Sequence, residues 1–208
     1  MTFTIWLSLF TICILGAMSP GPSLAMVAKH SLAGGRGNGI STAWAHASGI
    51  AIYAFITLLG LAVMLHQSPL LFQVVSYSGA LYLAYLGIKS LGSKGGVAEK
   101  LESGKTVSFR ESARDGFFIS MLNPKIALFF IALFSQFVTV GEELSSKAII
   151  VVTPFLVDGL WYTFIAFILS NSKLLDKLRS RAVLIDRVSG IVLIALAIRV
   201  FITNLNSG

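Results

Sequence analysis

The stretch Thr2–Ala28, TFTIWLSLFTICILGAMSPGPSLAMVA, holds no charged side chain and is longer than a helix needs to cross a hydrocarbon core. A core of about 30 Å takes about 20 helical residues at ~1.5 Å each. The same stretch carries Ser19-Pro20-Gly21-Pro22, two prolines and a glycine within four residues, which a continuous helix does not accommodate. Five further runs share the length and the near-absence of charge: Ile40–Leu65, Leu70–Ile88, Gly116–Val138, Ala148–Ser170 and Val188–Leu205. Their apolar residues are continuous instead of alternating, which excludes a membrane β-barrel. Helices are then the remaining way to satisfy the backbone in lipid. The expectation is an all-α, polytopic membrane protein with six transmembrane helices.

Composition agrees. Of 208 residues 55% are hydrophobic and 12% charged, and the mean hydropathy is +0.83. A soluble domain carries about a quarter charged residues, so a soluble globule is excluded, and so is disorder. The single cysteine, Cys13, allows no disulfide framework within the chain and no thiolate metal cluster. No Lys or Arg precedes Lys29, so the first run lacks the basic start of a signal peptide and reads as a retained span.

The net charge of +7 has a topological meaning. Thirteen of the 16 basic residues fall in the first, third and fifth connections or at their margins, whereas Lys147 stands alone on the other face. The positive-inside rule then puts those three connections in the cytoplasm and both termini outside. Nucleic-acid binding is not needed to explain the charge. Residues 92–115, rich in glycine and mixed charge, read as a cytoplasmic linker within a single transporter domain, 1–208.

That linker separates residues 1–91 from 116–208, and the two parts resemble each other weakly. Ser78-Gly79 with Ala84 corresponds to Ser189-Gly190 with Ala195, and Tyr53-Ala54-Phe55-Ile56 corresponds to Tyr162-Thr163-Phe164-Ile165. Pro20 and Pro22 interrupt the first span of one part; Pro124 interrupts the first span of the other. Three spans per part make the repeat inverted, a 3+3 arrangement whose paired breaks point to a transporter site at mid-membrane.

Ionisable groups within the spans are His46, Lys125, Asp158 and Arg199. Each costs roughly 2.5–3.5 kcal/mol at depth on insertion scales and calls for a partner or a wet path. Lys125 and Asp158 fall near the midplane, where they either meet the two charges of a zwitterion or pair with each other. His46 is placed to shuttle protons or to pack within the bundle. Trp161 and Tyr162, beside Asp158, either stack on a substrate or pack, and Arg199 snorkels. The candidate site is therefore Pro20, Gly21, Pro22, Asn123, Pro124, Lys125, Asp158 and Trp161, with Asp158 and His46 as a proton path. No metal or cofactor is expected. The motifs of intramembrane metal or serine enzymes, His-Glu-x-x-His and Gly-x-Ser-x-Gly, do not occur.

Pro20-Gly21-Pro22 followed by Gly35, Gly39, Ala43, Ala45 and Gly49, with Asn123-Pro124-Lys125 and Asp158-x-x-Trp161, resembles the signature of the lysine exporter and homoserine/threonine efflux family. The one departure is Ala45, where the family has glycine; it adds a methyl group at a helix contact. The resemblance implies export of amino acids or close analogues across a bacterial inner membrane, proton antiport, and homodimers in the bilayer. Rival readings are an exporter of another small organic or metal ion, a channel, or a structural membrane subunit.

Overall fold

The computed structural model describes residues 1–19, 21–92, 107–139, 143–169 and 180–205. Among these the secondary structure is helical throughout: α1 (Phe3–Met18), α2 (Pro22–Gln67), α3 (Pro69–Leu91), α4 (Phe109–Leu122), α5 (Pro124–Phe134), α6 (Leu144–Leu169) and α7 (Ala182–Leu205). Three of the five prolines begin helices: Pro22, Pro69 and Pro124 stand in the first turns of α2, α3 and α5, where the missing N–H costs no hydrogen bond. Pro154 lies inside α6.

The sequence-expected spans differ from these helices in two informative ways. The first run is cut at Ser19, and the chain re-enters helix at Pro22 and stays helical up to the break at Gly35, inside what reads as the first connection. The 46 residues of α2 would extend about 69 Å if straight, twice a hydrocarbon core, and the helix is broken once. Gly35, at φ 79° and ψ −176°, occupies a region that in practice only glycine reaches. The second difference is at Asn123, where α4 and α5 meet at a 55° bend. α4 itself begins inside the segment read as linker, because Ser108 caps it by accepting from the Glu111 N–H. Residues 93–106 of that linker lie outside the described residues.

Three helices, α2, α3 and α6, are each long and apolar enough to cross a membrane; α4 and α5 reach that length only as a bent pair, a broken span or a re-entrant loop, and α1 is a shorter apolar helix. Large apolar side chains cover the outside, among them Phe55, Ile56, Leu81, Leu160, Phe164 and Ile198. An apolar surface of that extent fits a lipid surround.

Contacts fix the helix directions. Trp6 Nε1 donates to Thr153 Oγ1, and Tyr162 OH donates to Ala17 O, so α1 and α6 run parallel. Asn38 Nδ2 donates to Ser112 Oγ and Gly49 meets Ser120, so the later part of α2 runs parallel to α4. His46 meets Asp158 while Gly39 meets Ala166, so α2 and α6 are antiparallel. Tyr77 stacks on Phe201 and Ser90 Oγ donates to Asp186 O, which makes α3 and α7 antiparallel. At the α3–α7 crossing, a Cβ on Gly190 would lie 2.7 Å from the Gly87 carbonyl, so only glycine lets these backbones approach.

Two buried apolar clusters result. The larger joins α1, the end of α2, α3, α5, α6 and α7 around Leu9, Leu58, Leu83, Leu133 and Ile150. The smaller joins the start of α2 to α6 through Val27, Ala28, Ala43, Ile165 and Ala166. A polar layer lies between them.

Candidate functional site

The two helix breaks meet in that layer. α1 ends with carbonyl groups that have no partner further along the helix, and other elements supply the donors. Lys125 Nζ donates to Ser19 O at 2.9 Å and to Ser19 Oγ at 2.7 Å, and Tyr162 OH donates to Ala17 O at 3.4 Å. A cation at a helix C-terminus is favourable, whereas Lys125 stands in the first turn of its own helix, where a cation is unfavourable. Its ammonium is thereby drawn from α5 across to the end of α1.

Asn123 sets the second break. Its Oδ1 accepts from the Lys125 N–H at 3.0 Å, capping α5, and its Nδ2 reaches Ser23 Oγ at 3.4 Å. α2 starts differently. Gly21 caps it with no side-chain acceptor, so the first N–H groups of α2 carry no side-chain cap at the edge of the layer.

Asp158 and His46 complete the site. His46 is 1% exposed and Asp158 7%. His46 Nδ1 lies 2.7 Å from Asp158 Oδ2, and Nε2 lies 2.8 Å from Ser23 Oγ. The Tyr162 ring stands edge-on to the imidazole, with centroids 5.3 Å apart. With Nδ1 donating to the carboxylate, Nε2 accepts from the Ser23 hydroxyl when the ring is neutral and donates to it when the ring is charged. Asp158, His46, Ser23 and Asn123 thus form one chain of contacts from α6 through α2 to the α4–α5 break. The first three touch in the order found in serine hydrolases. The chain ends at the Asn123 amide, which donates to the Ser23 hydroxyl.

These groups surround a cavity of about 60 Å³, room for about four waters at the ~15 Å³ each requires. Ser19, Gly21, Ser23, His46, Asn123, Lys125, Asp158 and Tyr162 line it on the polar side. Gly21, Asn123, Lys125, Asp158 and His46 are therefore brought together as the sequence suggested. Pro22 and Pro124 act through the helix starts they set. Pro20 lies outside the described residues. Trp161 stands apart: it packs on the smaller apolar cluster and against Phe164. The carboxylate of Asp158 meets His46, and the ammonium of Lys125 meets the end of α1, in place of a direct pair between the two.

Ser19 and Ser23 are not singled out by the sequence as site residues, and Tyr162 is singled out only as an aromatic that stacks or packs beside Asp158. Their proximity to the prolines and to Asp158 was the available signal, but serines adjoin many helix breaks. A second polar cluster was also missed. His30 is buried, with Nδ1 at 3.0 Å from Ser112 Oγ and Nε2 at 3.3 Å from Asp115 Oδ2, and Asn38 Nδ2 donates to Ser112 Oγ and to Val107 O. It ties the start of α2 to α4, away from the cavity. No group of three or more metal-ligating side chains occurs among the described residues.

Comparison with known proteins gives the family. The model of the LysE type translocators matches residues 14–204. The chain belongs to the LysE type translocator family. It is 27% identical over 202 residues to the uncharacterized membrane protein YrhP of Bacillus subtilis, covering 93% of this chain and 96% of that one. It is 36% identical over 125 residues to the leucine efflux protein of Salmonella choleraesuis, covering 58% of this chain and 57% of that protein. The leucine efflux protein of Salmonella typhimurium matches over the same shares. No solved structure matches. The chain is thus a multi-pass membrane translocator of that family.

Proposed function

We propose that this translocator exports amino acids from the bacterial cytoplasm by proton antiport, with both termini outside and six crossings arranged as an inverted 3+3 repeat. In this arrangement α1 and the start of α2 form one interrupted span and α4–α5 another. The helix directions support it: the parallel pair α1–α6 has its counterpart in the parallel pair α4–α2, and the two pairs are antiparallel.

The single observation that carries the reading is the meeting of two helix breaks around one cavity, with Lys125 and Asp158 both on its wall. A substrate carboxylate takes the Lys125 ammonium and the first N–H groups of α2. The substrate ammonium takes Asp158 Oδ1, which carries no hydrogen bond among the described residues; Oδ2 is held by His46. A proton arriving from outside on the Asp158–His46 pair removes the negative charge facing the substrate ammonium, and the amino acid leaves. Loss of that proton to the cytoplasm restores the site. The relatives named leucine efflux proteins support an amino acid as cargo.

The test is export of labelled amino acids from proteoliposomes with and without a pH gradient. The wild type accumulates label against its gradient when the pH gradient is imposed. Asp158→Asn, which cannot exchange that proton, keeps counterflow only at a raised substrate concentration, because the ammonium loses a charged partner, and no longer responds to the pH gradient. Full pH-driven export by Asp158→Asn would end the proton role of this residue.

A further inference from the structure

The polar layer occupies one side of the cavity, and the other side is apolar. On four helices an apolar lining residue lies a short way along the helix from the polar one. Ile50 follows His46 on α2, Ile126 and Phe129 follow Lys125 on α5, Gly16 precedes Ser19 on α1, and Pro154 precedes Asp158 on α6. Because α1 and α6 run antiparallel to the part of α2 that carries His46, the residues on these three helices project to one side of the layer, and Ile126 and Phe129 line the same cavity. On the opposite side Val27, Ala28, Ala43 and Ala166 are closed with no exposure. A bound molecule held by its two charges therefore has room for its side chain only against the apolar wall.

Phe129 bounds that room. It reaches from α5 to the backbone of α1, where a Cβ added to Gly16 would lie 2.5 Å from its Cζ and 2.8 Å from its Cε2. Glycine at position 16 is what lets the tip of the ring approach α1. The only acidic residue on the described wall is Asp158, and the α-ammonium of an amino acid uses it. A second positive charge on a substrate side chain would be buried against Ile50, Ile126 and Phe129 without a counter-ion, which is strongly unfavourable.

We propose that the site accepts amino acids with uncharged, apolar side chains and that the Phe129 ring sets the largest side chain admitted. This rests on the transport reading above. Hydrophobic pockets discriminate about 10–200-fold per methylene, so the effect is large enough to measure as a ratio of rates.

The experiment is counterflow in proteoliposomes with labelled alanine, leucine, phenylalanine and lysine, for the wild type, Phe129→Ala and Gly16→Ala. The wild type moves leucine at least ~10-fold faster than lysine. Phe129→Ala raises phenylalanine relative to leucine by ~10-fold or more, and Gly16→Ala, which drives the ring into the cavity, favours alanine over leucine. Lysine moved as fast as leucine by the wild type overturns the proposed class and leaves amino-acid export standing. Unaltered size ratios in a folded variant overturn the role of Phe129. Should the wild type move none of the four, amino-acid export falls and this inference falls with it. The wild-type panel decides the class even where neither variant folds.

Discussion

Replacing Lys125 with methionine separates the substrate role of this residue from its structural one. The side chain keeps its length and loses its charge. On the structural side, Ser19 O and Ser19 Oγ lose donors at 2.9 and 2.7 Å. The hydroxyl can turn to another partner, but the carbonyl at the end of α1 cannot, and a buried unsatisfied acceptor costs about 1–3 kcal/mol. On the functional side, the substrate carboxylate loses a charge-assisted hydrogen bond of about 1.5–3 kcal/mol. At ~1.4 kcal/mol per factor of ten, the half-saturating substrate concentration rises about 10- to 150-fold. The assay is the concentration dependence of counterflow, set beside thermal unfolding of the same preparation in detergent. Lys125→Arg, which keeps the charge on a planar head, recovers part of the affinity. A folded Lys125→Met protein with an unchanged half-saturating concentration would refute the carboxylate contact and leave Lys125 as a fastening for α1.

Three other outcomes follow from the geometry. Gly35→Ala places a Cβ where nothing lies within 4 Å, so its cost is that of the backbone alone, about 1–3 kcal/mol, read as a lower thermal midpoint in detergent. Gly190→Ala sets a methyl group against the Gly87 carbonyl, forces α3 and α7 apart, and destabilises by about 1–3 kcal/mol; an unchanged midpoint would contradict the close crossing. Trp161→Ala removes a ring that packs on the smaller apolar cluster and does not line the cavity, so the half-saturating concentration stays within ~2-fold of wild type while the thermal midpoint falls. A large rise in that concentration would return Trp161 to the binding site.

Much of the site could be read before any fold was known, because lipid makes certain residues expensive. Two prolines beside Gly21 and one after Asn123 cannot pass unnoticed in apolar runs, and neither can Lys125 or Asp158. What escaped was partnership. His46 is one of three histidines, and its sequence neighbours are alanines that speak only of close helix packing. Nothing local joins it to Asp158, 112 positions away, or to a serine at a helix start. Trp161 is one turn of helix from Asp158, on a neighbouring part of the same face, yet its ring packs on the smaller apolar cluster while Tyr162, the next residue, lines the cavity.

The chain's order of amino acids alone settled that it lives in lipid as helices, where those helices must break, and which charges demand company, since each follows from the local cost of an unsatisfied backbone or an unsolvated ion. Only the packed structure decided that Lys125 serves the end of α1, that His46 stands between Asp158 and Ser23, and that the break at Gly35 brings the two parts of α2 together. Those outcomes depend on which helix faces which, a choice made by long-range contacts that short stretches of sequence do not contain.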